Sequence, residues 1–168
     1  NLLTVTLTGE ELDKEDLDKI SFSMFNLPPG AVFDPATHTF SWMPTYEQSG
    51  SYNRVGAVMK AGKLSDSTWF NITVNHINRP PVLVALTDQQ IDENKKLRVV
   101  ISGSDPDKED AGKLVFSAAN LPPGSSFQPD SLIFSWTPTF EQSGVYSDVQ
   151  FSVKDPQGLT DQKSITIT

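Results

Sequence analysis

The chain has 168 residues, which is enough for one large or two small domains. Lys and Arg number 13 against 21 Asp and Glu, and this net charge of −8 disfavours binding to nucleic acid or an anionic membrane surface, since both need a basic footprint. The absence of cysteine excludes disulfides, thiolate nucleophiles and cysteine zinc sites. No run approaches a membrane span of roughly 18 apolar residues.

Short segments in which apolar and polar residues alternate predict β-strands along the whole chain. In chain order the clearest are residues 3–7, 70–74, 149–153 and 165–167. The stretch 10–20 is rich in helix formers, but its counterpart later in the chain contains Pro106 and Gly112, which favours a loop. Pro and Gly recur about every ten residues, and this spacing is typical of a β-sandwich.

Three motifs occur twice, each pair being separated by the same distance along the chain. They are LPPG at 27–30 and 121–124, FSW at 40–42 and 134–136, and EQSG followed by tyrosine at 47–52 and 141–146. The Pro-Gly pair of LPPG suits the centre of a type II turn, where glycine takes a positive φ. One residue inserted after Val149 brings the rest into register and sets Lys60 opposite Asp155. The chain is therefore a tandem repeat.

The repeat predicts two domains, residues 1–78 and 79–168, each an all-β sandwich of about seven strands. Between them, Asn78-Arg79-Pro80-Pro81 forms a linker that its prolines make stiff. The second copy begins with a segment, residues 81–94, that has no counterpart in the first, so domain 1 is expected to lack its N-terminal strand. With no signal-like stretch at Asn1, we expect a piece of a longer tandem array.

The chain resembles the dystroglycan-type cadherin-like repeats, also described as immunoglobulin-like repeats of bacterial surface proteins. The matching string is LPPG-x-x-F, then FSW-x-PT-[YF]-EQSG-x-Y, V-K-D-P-Q-G-L-T and N-R-P-P. The resemblance covers essentially the whole chain, twice. It implies a seven-stranded Greek-key sandwich and a secreted or surface-anchored bacterial protein. It also implies an adhesive or spacer role and calcium at domain junctions.

Calcium requires six to eight oxygen ligands, mostly carboxylates, from several loops. The positions that match the cadherin pattern at the junction of the two copies are Glu47, Asn78, Asp105, Asp107 and Asp155. The alternative is a purely structural role, in which these acids are solvated loop charges and turn formers, since Asp is common before Pro or Gly in turns.

The departures from the cadherin pattern weaken the calcium prediction. The acids of the cadherin linker are replaced by neutral residues, histidine or arginine, and the guanidinium of Arg79 would oppose a dication. Lys60 stands where the second copy has Asp155. The remaining carboxylates are too few for more than one of the three ions that cadherins hold.

Aromatic residues offer a second candidate site. Trp42 and Trp136 alternate with phenylalanine and are expected in the core, with an exposed sugar-stacking platform as the alternative. Trp69 has no aromatic counterpart in the second copy and is the better candidate for glycan binding. Tyr52 and Tyr146 resemble the structural tyrosine of a tyrosine corner.

No nucleophile elbow, phosphate loop or metal-spaced histidine pair is present, so we expect no enzyme activity. The predicted function is a non-catalytic extracellular repeat pair, either an adhesive or a stalk module. The alternative is a carbohydrate-binding or spacer module of a secreted polysaccharide-degrading protein. The expected partners are other protein domains, like repeats or glycans, with no nucleic acid, and membrane contact only through segments outside this chain.

Overall fold

The computed structural model describes residues 1–12 and 19–168. These residues form two compact units, unit 1 (Asn1–Ile77) and unit 2 (Asn78–Thr168). The sequence placed the boundary one residue later, after Asn78. Most of the loop predicted at 10–20 lies outside the described residues. Within the described ranges, no helix is long and apolar enough to cross a membrane.

Unit 1 consists of two three-stranded antiparallel sheets, ordered β1-β4-β3 and β2-β5-β6. Its strands are β1 (Leu3–Thr6), β2 (Ile20–Phe25), β3 (Val32–Asp34), β4 (Thr39–Trp42), β5 (Gly50–Ala61) and β6 (Leu64–Val74), with a 3-10 helix at Tyr46–Gln48. Along β2 and β4, more buried residues alternate with more exposed ones, so the buried residues of each strand share one face and that face supplies the core.

Unit 2 repeats both sheets, ordered β11-β12-β8 and β10-β13-β14, and adds a two-stranded β7-β9 pair. Its strands are β7 (Val82–Leu83), β8 (Leu97–Val100), β9 (Gly103–Ser104), β10 (Val115–Ala119), β11 (Ser126–Gln128), β12 (Ile133–Trp136), β13 (Tyr146–Lys154) and β14 (Thr160–Ile167), with a 3-10 helix at Lys108–Asp110. The all-β sandwich prediction is confirmed.

The segment 81–94 accounts for the difference between the two units. In unit 2 it contributes β7, and Gln89 then forms a parallel bridge to Ile167 at the edge of β14. In unit 1, the described residues show no strand along the matching edge of β6. The missing first strand predicted from the repeat therefore agrees with the structure.

The repeated FSW motif lies at the centre of each core. Phe40 and Trp42 on β4 are 0% and 1% exposed, and Phe134 and Trp136 on β12 are 0% and 3% exposed. In unit 2, Phe134 meets Phe151 of the opposite sheet edge-on, with ring centroids 5.7 Å apart. The prediction that both tryptophans lie in the core is confirmed, and because they are buried they cannot stack on sugar rings.

The three motifs recur together because they form one hydrogen-bonded clasp. In unit 2, the indole N–H of Trp136 and the side-chain amide of Gln142 both donate to the carbonyl of Pro123, at 3.2 and 2.9 Å. The Thr139 N–H donates to Gln142 Oε1 at 2.8 Å. The Tyr146 hydroxyl donates to the Gln142 carbonyl at 3.0 Å, and its ring packs edge-on against Trp136. The clasp joins the LPPG turn to the start of β13.

Unit 1 contains the same clasp, with the same four bonds at 2.8–3.2 Å. Its members are Pro29, Trp42, Thr45, Gln48 and Tyr52. The turn itself is type II in both copies, because Gly30 and Gly124 have φ of 82° and 78°. The tyrosines thus have the structural role that the sequence predicted for them.

Candidate metal centre

Four of the five predicted calcium ligands lie in unit 2. Asn78 is its first residue, Asp105 and Asp107 lie in the loop between β9 and the 3-10 helix, and Asp155 begins the turn between β13 and β14. Glu47 belongs to unit 1, in the 3-10 helix Tyr46–Gln48, and its role as a ligand stays a prediction.

Three carboxylates converge at one end of unit 2. Asp105, Asp110 and Asp155 each present an oxygen, and these atoms all lie within 4.8 Å of one another. Asp110 and Asp155 are 1% and 3% exposed. Negative groups this close and this buried repel one another unless a cation or protons lie among them. The arrangement therefore favours a bound cation.

Unpaired oxygens at the cluster support this conclusion. Asn78 Oδ1, Asp105 Oδ2 and Asp110 Oδ2 are buried and have no hydrogen-bond partner. Buried polar atoms are almost always paired, so three unpaired oxygens on residues beside Asp155 indicate a place where a cation or water can bind. We name Asn78, Asp105, Asp110 and Asp155 the acidic cluster.

The local backbone fixes where the cluster's carboxylates point. Asp105 Oδ1 accepts the Asp107 N–H at 2.8 Å, which leaves Oδ2 unpaired. Asp155 Oδ1 accepts the N–H groups of Gly158 and Leu159, and Oδ2 accepts the amide of Asn78 at 2.7 Å. Because the Asn78 amide nitrogen binds Asp155, its oxygen remains as the unpaired acceptor.

Asp155 is held in its charged form. Burial raises the pKa of this carboxyl, but the hydrogen bonds from Asn78 and from the backbone N–H groups of Leu159, Gly158 and Gln157 lower it, and the net pKa is below the usual value. An ionised Asp155 is therefore available to a cation at neutral pH.

Asp107 is not among the converging groups, although the sequence predicted it as a ligand. Its side chain is 1% exposed, and both of its oxygens bind Arg79. The chain turns between the two residues, because Asp105 Oδ1 accepts the Asp107 N–H, and Asp107 then contacts Arg79 whereas Asp105 lies beside Asp155. Asp110, three residues further along, takes the place expected for Asp107. Asp110 was not predicted as a ligand, although the DKED run that it ends also occurs at residues 13–16 of the first copy.

The alignment of Lys60 with Asp155 is wrong. Lys60 pairs with Ser65 across the β5-β6 hairpin, and Lys154 pairs with Thr160 across the β13-β14 hairpin. Lys60 therefore matches Lys154, and the extra residue of the second copy lies in the hairpin turn rather than after Val149. That longer turn is what carries Asp155.

The donor set and its dimensions fit calcium. All the ligand atoms offered are oxygens, which hard cations prefer, whereas zinc and copper favour nitrogen and sulfur. Calcium–oxygen distances of about 2.3–2.6 Å allow two ligands of one ion to be up to about 5 Å apart, and the carboxylate oxygens of Asp105, Asp110 and Asp155, which lie within 4.8 Å of one another, satisfy this limit. Four side-chain ligands leave positions for water or backbone carbonyls.

Trp69 lies on the outer face of the β2-β5-β6 sheet in unit 1 and is 47% exposed, as the sequence predicted. Phe25 meets it edge-on at 4.6 Å, and the Arg54 guanidinium lies 4.9 Å from the centre of its ring. Phe25 and Trp69 sit on either side of Gly56 in register. The matching row in unit 2 is Ala119, Gln150 and Ser164, so this aromatic patch (Phe25, Arg54 and Trp69) occurs in one copy only.

A family model described as "Putative Ig domain" matches residues 1–75 and again 80–168. The chain belongs to this family. The two matches coincide with the two units, so each Ig-like domain corresponds to one sandwich. No curated protein resembles the chain significantly in sequence.

Solved structures of cadherin repeats share the fold of these Ig-like domains. A protocadherin gammaB7 segment, EC3–6, superposes with a TM-score of 0.57 at 20% identity, covering 88% of this chain and 41% of that one. Human protocadherin-24 EC1–2 gives 0.54 at 14% identity, covering 98% and 86%. Mouse cadherin-23 EC22–24 gives 0.54 at 13%, covering 88% and 51%. The chain spans less than half of the gammaB7 segment, and at these identities the likeness shows the fold.

Proposed function

We propose that this chain is a non-catalytic part of an extracellular protein of the bacterial surface, related to the dystroglycan-type cadherin-like repeats. Its Ig-like domains serve as an adhesive or stalk module, and unit 2 binds calcium through the acidic cluster. The observation that carries the calcium proposal is the convergence of buried, unpaired oxygens from Asn78, Asp105 and Asp110 beside Asp155. The partners we propose are other protein domains or like repeats.

Bound calcium would tie together three segments of unit 2 that are far apart in sequence. Asn78 belongs to the N-terminal segment, Asp105 and Asp110 to the loop after β9, and Asp155 to the β13-β14 turn. A single ion bonded to all three removes the repulsion between the carboxylates and restricts the motion of each loop. This stiffening is the property that a stalk or adhesive array requires.

Calcium titration of the full chain tests the proposal. A ligand that binds only the folded state adds about 2.7 kcal/mol at a hundred times its dissociation constant, and for a domain this small that corresponds to about 10–20 °C in the melting temperature. We expect binding heat, and a stabilisation that chelator reverses. No heat and no shift at millimolar calcium would contradict it.

The variant Asp110→Asn should lose most of the calcium-induced shift, because it removes one charge from a buried ligand. Asp148→Asn is the matched control. Asp148 is exposed and has a φ of 57°, a conformation that asparagine also tolerates, so this variant should respond to calcium like the parent. An equal loss in both variants would show that the effect is one of net charge.

A second candidate function is glycan binding at the aromatic patch, and the exposed ring of Trp69 favours it. Sugar rings stack on exposed tryptophan, and Arg54 supplies hydrogen-bond donors beside it. Glycan-array binding that is lost in Trp69→Ala but retained in Leu64→Ala, which removes another exposed apolar residue of β6, would support this function. No binding by the parent chain would dismiss it.

A further inference from the structure

Arg79 holds Asp107 with its backbone and its side chain together. The Arg79 N–H donates to Asp107 Oδ2 at 2.7 Å, and Nε and Nη2 both reach Oδ1 at 2.7 Å. Nη2 also donates to the Pro106 carbonyl at 2.8 Å. Because Asp107 is 1% exposed, its charge is compensated by the guanidinium rather than by water.

This ion pair is built into the same loop as the acidic cluster. The Asp107 N–H donates to Asp105 Oδ1, and the Asp110 N–H donates to the Asp107 carbonyl at 3.0 Å. The loop carries three aspartates, Asp105, Asp107 and Asp110. Asp105 and Asp110 each have an unpaired oxygen, whereas Asp107 is already neutralised by a cation that belongs to the chain.

We propose that Arg79 is the permanent second cation of this centre. It neutralises Asp107 in place of a metal, so unit 2 takes a single calcium ion, bound by Asn78, Asp105, Asp110 and Asp155. This inference rests on the proposed calcium site and adds its stoichiometry and the residue that sets it.

The electrostatics predict what removal of Arg79 would do. A buried carboxylate without its partner is strongly unfavourable, and a divalent cation is a species that restores the balance. A fixed guanidinium also repels any further dication nearby, and that repulsion would disappear. The variant Arg79→Ala should therefore bind a second calcium ion through Asp107.

Ion counting on the full chain, by titration calorimetry and native mass spectrometry with calcium chloride, tests this. We expect one ion in the parent, two in Arg79→Ala, and one again in Arg79→Ala with Asp107→Asn. Arg79→Ala should melt lower than the parent in chelator and gain more on calcium addition. Arg98→Ala, an exposed arginine of β8, is the control and should keep one ion.

A milder variant covers the case in which Arg79→Ala does not fold. Asp107→Asn alone should keep calcium affinity within about threefold, whereas loss of a true ligand costs about 10- to 100-fold. Two ions in the parent, one ion in folded Arg79→Ala, or a large loss in Asp107→Asn would each overturn this inference and leave the calcium site standing. A parent chain that binds no ion would overturn both.

Discussion

The clasp of unit 2 makes a sharp prediction for Gln142→Ala. The substitution removes two hydrogen bonds, from the Thr139 N–H to Oε1 and from Nε2 to the Pro123 carbonyl. It spares the Tyr146 bond, which goes to the Gln142 backbone carbonyl.

The expected loss is about 2 kcal/mol of unfolding free energy, since each bond contributes a net of about 1 kcal/mol. No large desolvation penalty adds to this, because Trp136 still donates to Pro123 and Thr139 is exposed to water. The loss corresponds to about 8–16 °C in the melting temperature of a domain of this size. Gln48→Ala should cost unit 1 about as much, because its bonds have nearly the same lengths.

Hydrogen exchange in increasing urea, read by mass spectrometry on peptides from β13, measures the free energy of unit 2 within the full chain. The matched control is Glu141→Ala, the exposed neighbour in the same motif, which should change the free energy by no more than about 0.5 kcal/mol. An equal effect of the two substitutions, or a loss below about 0.5 kcal/mol for Gln142→Ala, would refute the clasp as a stabilising element.

Two further predictions concern the aromatic patch and acid stability. In Gly56→Ala the new Cβ would lie 2.2 Å from the Phe25 ring, so the ring must move off Trp69, and tryptophan emission should shift to the red while the fold is retained. No shift would contradict the packing. The Leu83 N–H, and more weakly the Gln162 N–H and Lys163, hold the pKa of Asp161 below its usual range. This carboxylate therefore stabilises unit 2 above the unfolded pKa of about 3.9 and loses that effect as pH falls through its folded pKa. Urea titrations should show a weaker acid dependence in Asp161→Asn, and an unchanged profile would refute this.

The tandem organisation was predictable from the chain alone because it depends on local patterns. Alternating apolar residues, the LPPG turn and the repeated FSW motif specify strands, a type II turn and a core position wherever they occur. The exposure of Trp69 was also predictable, since its counterpart in the second copy is not aromatic.

The metal centre was only partly predictable, because its members come from three distant segments. Asp105 and Asp155 were found through family spacing. Asp110 ends the charged run DKED, and the recurrence of that run at 13–16 does not show which of its acids faces the cluster. Asp107 has the spacing of a calcium ligand in the family pattern, but both of its oxygens accept hydrogen bonds from Arg79. The position of the inserted residue became visible only from the pairing of Lys60 and Lys154 across their hairpins.

By itself the sequence determined that the chain contains two copies of an all-β unit, which residues form their cores, and a short list of acidic residues of unit 2 that could bind calcium. Local periodicity and turn chemistry depend on only a few neighbouring residues, so they can be recognised in the sequence. Which acid faces which was decided by the tertiary structure, because a carboxylate's direction depends on the backbone N–H groups and the guanidinium that folding brings to it. As a result, Asn78, Asp105, Asp110 and Asp155 can bind a cation, whereas both oxygens of Asp107 are bound by Arg79.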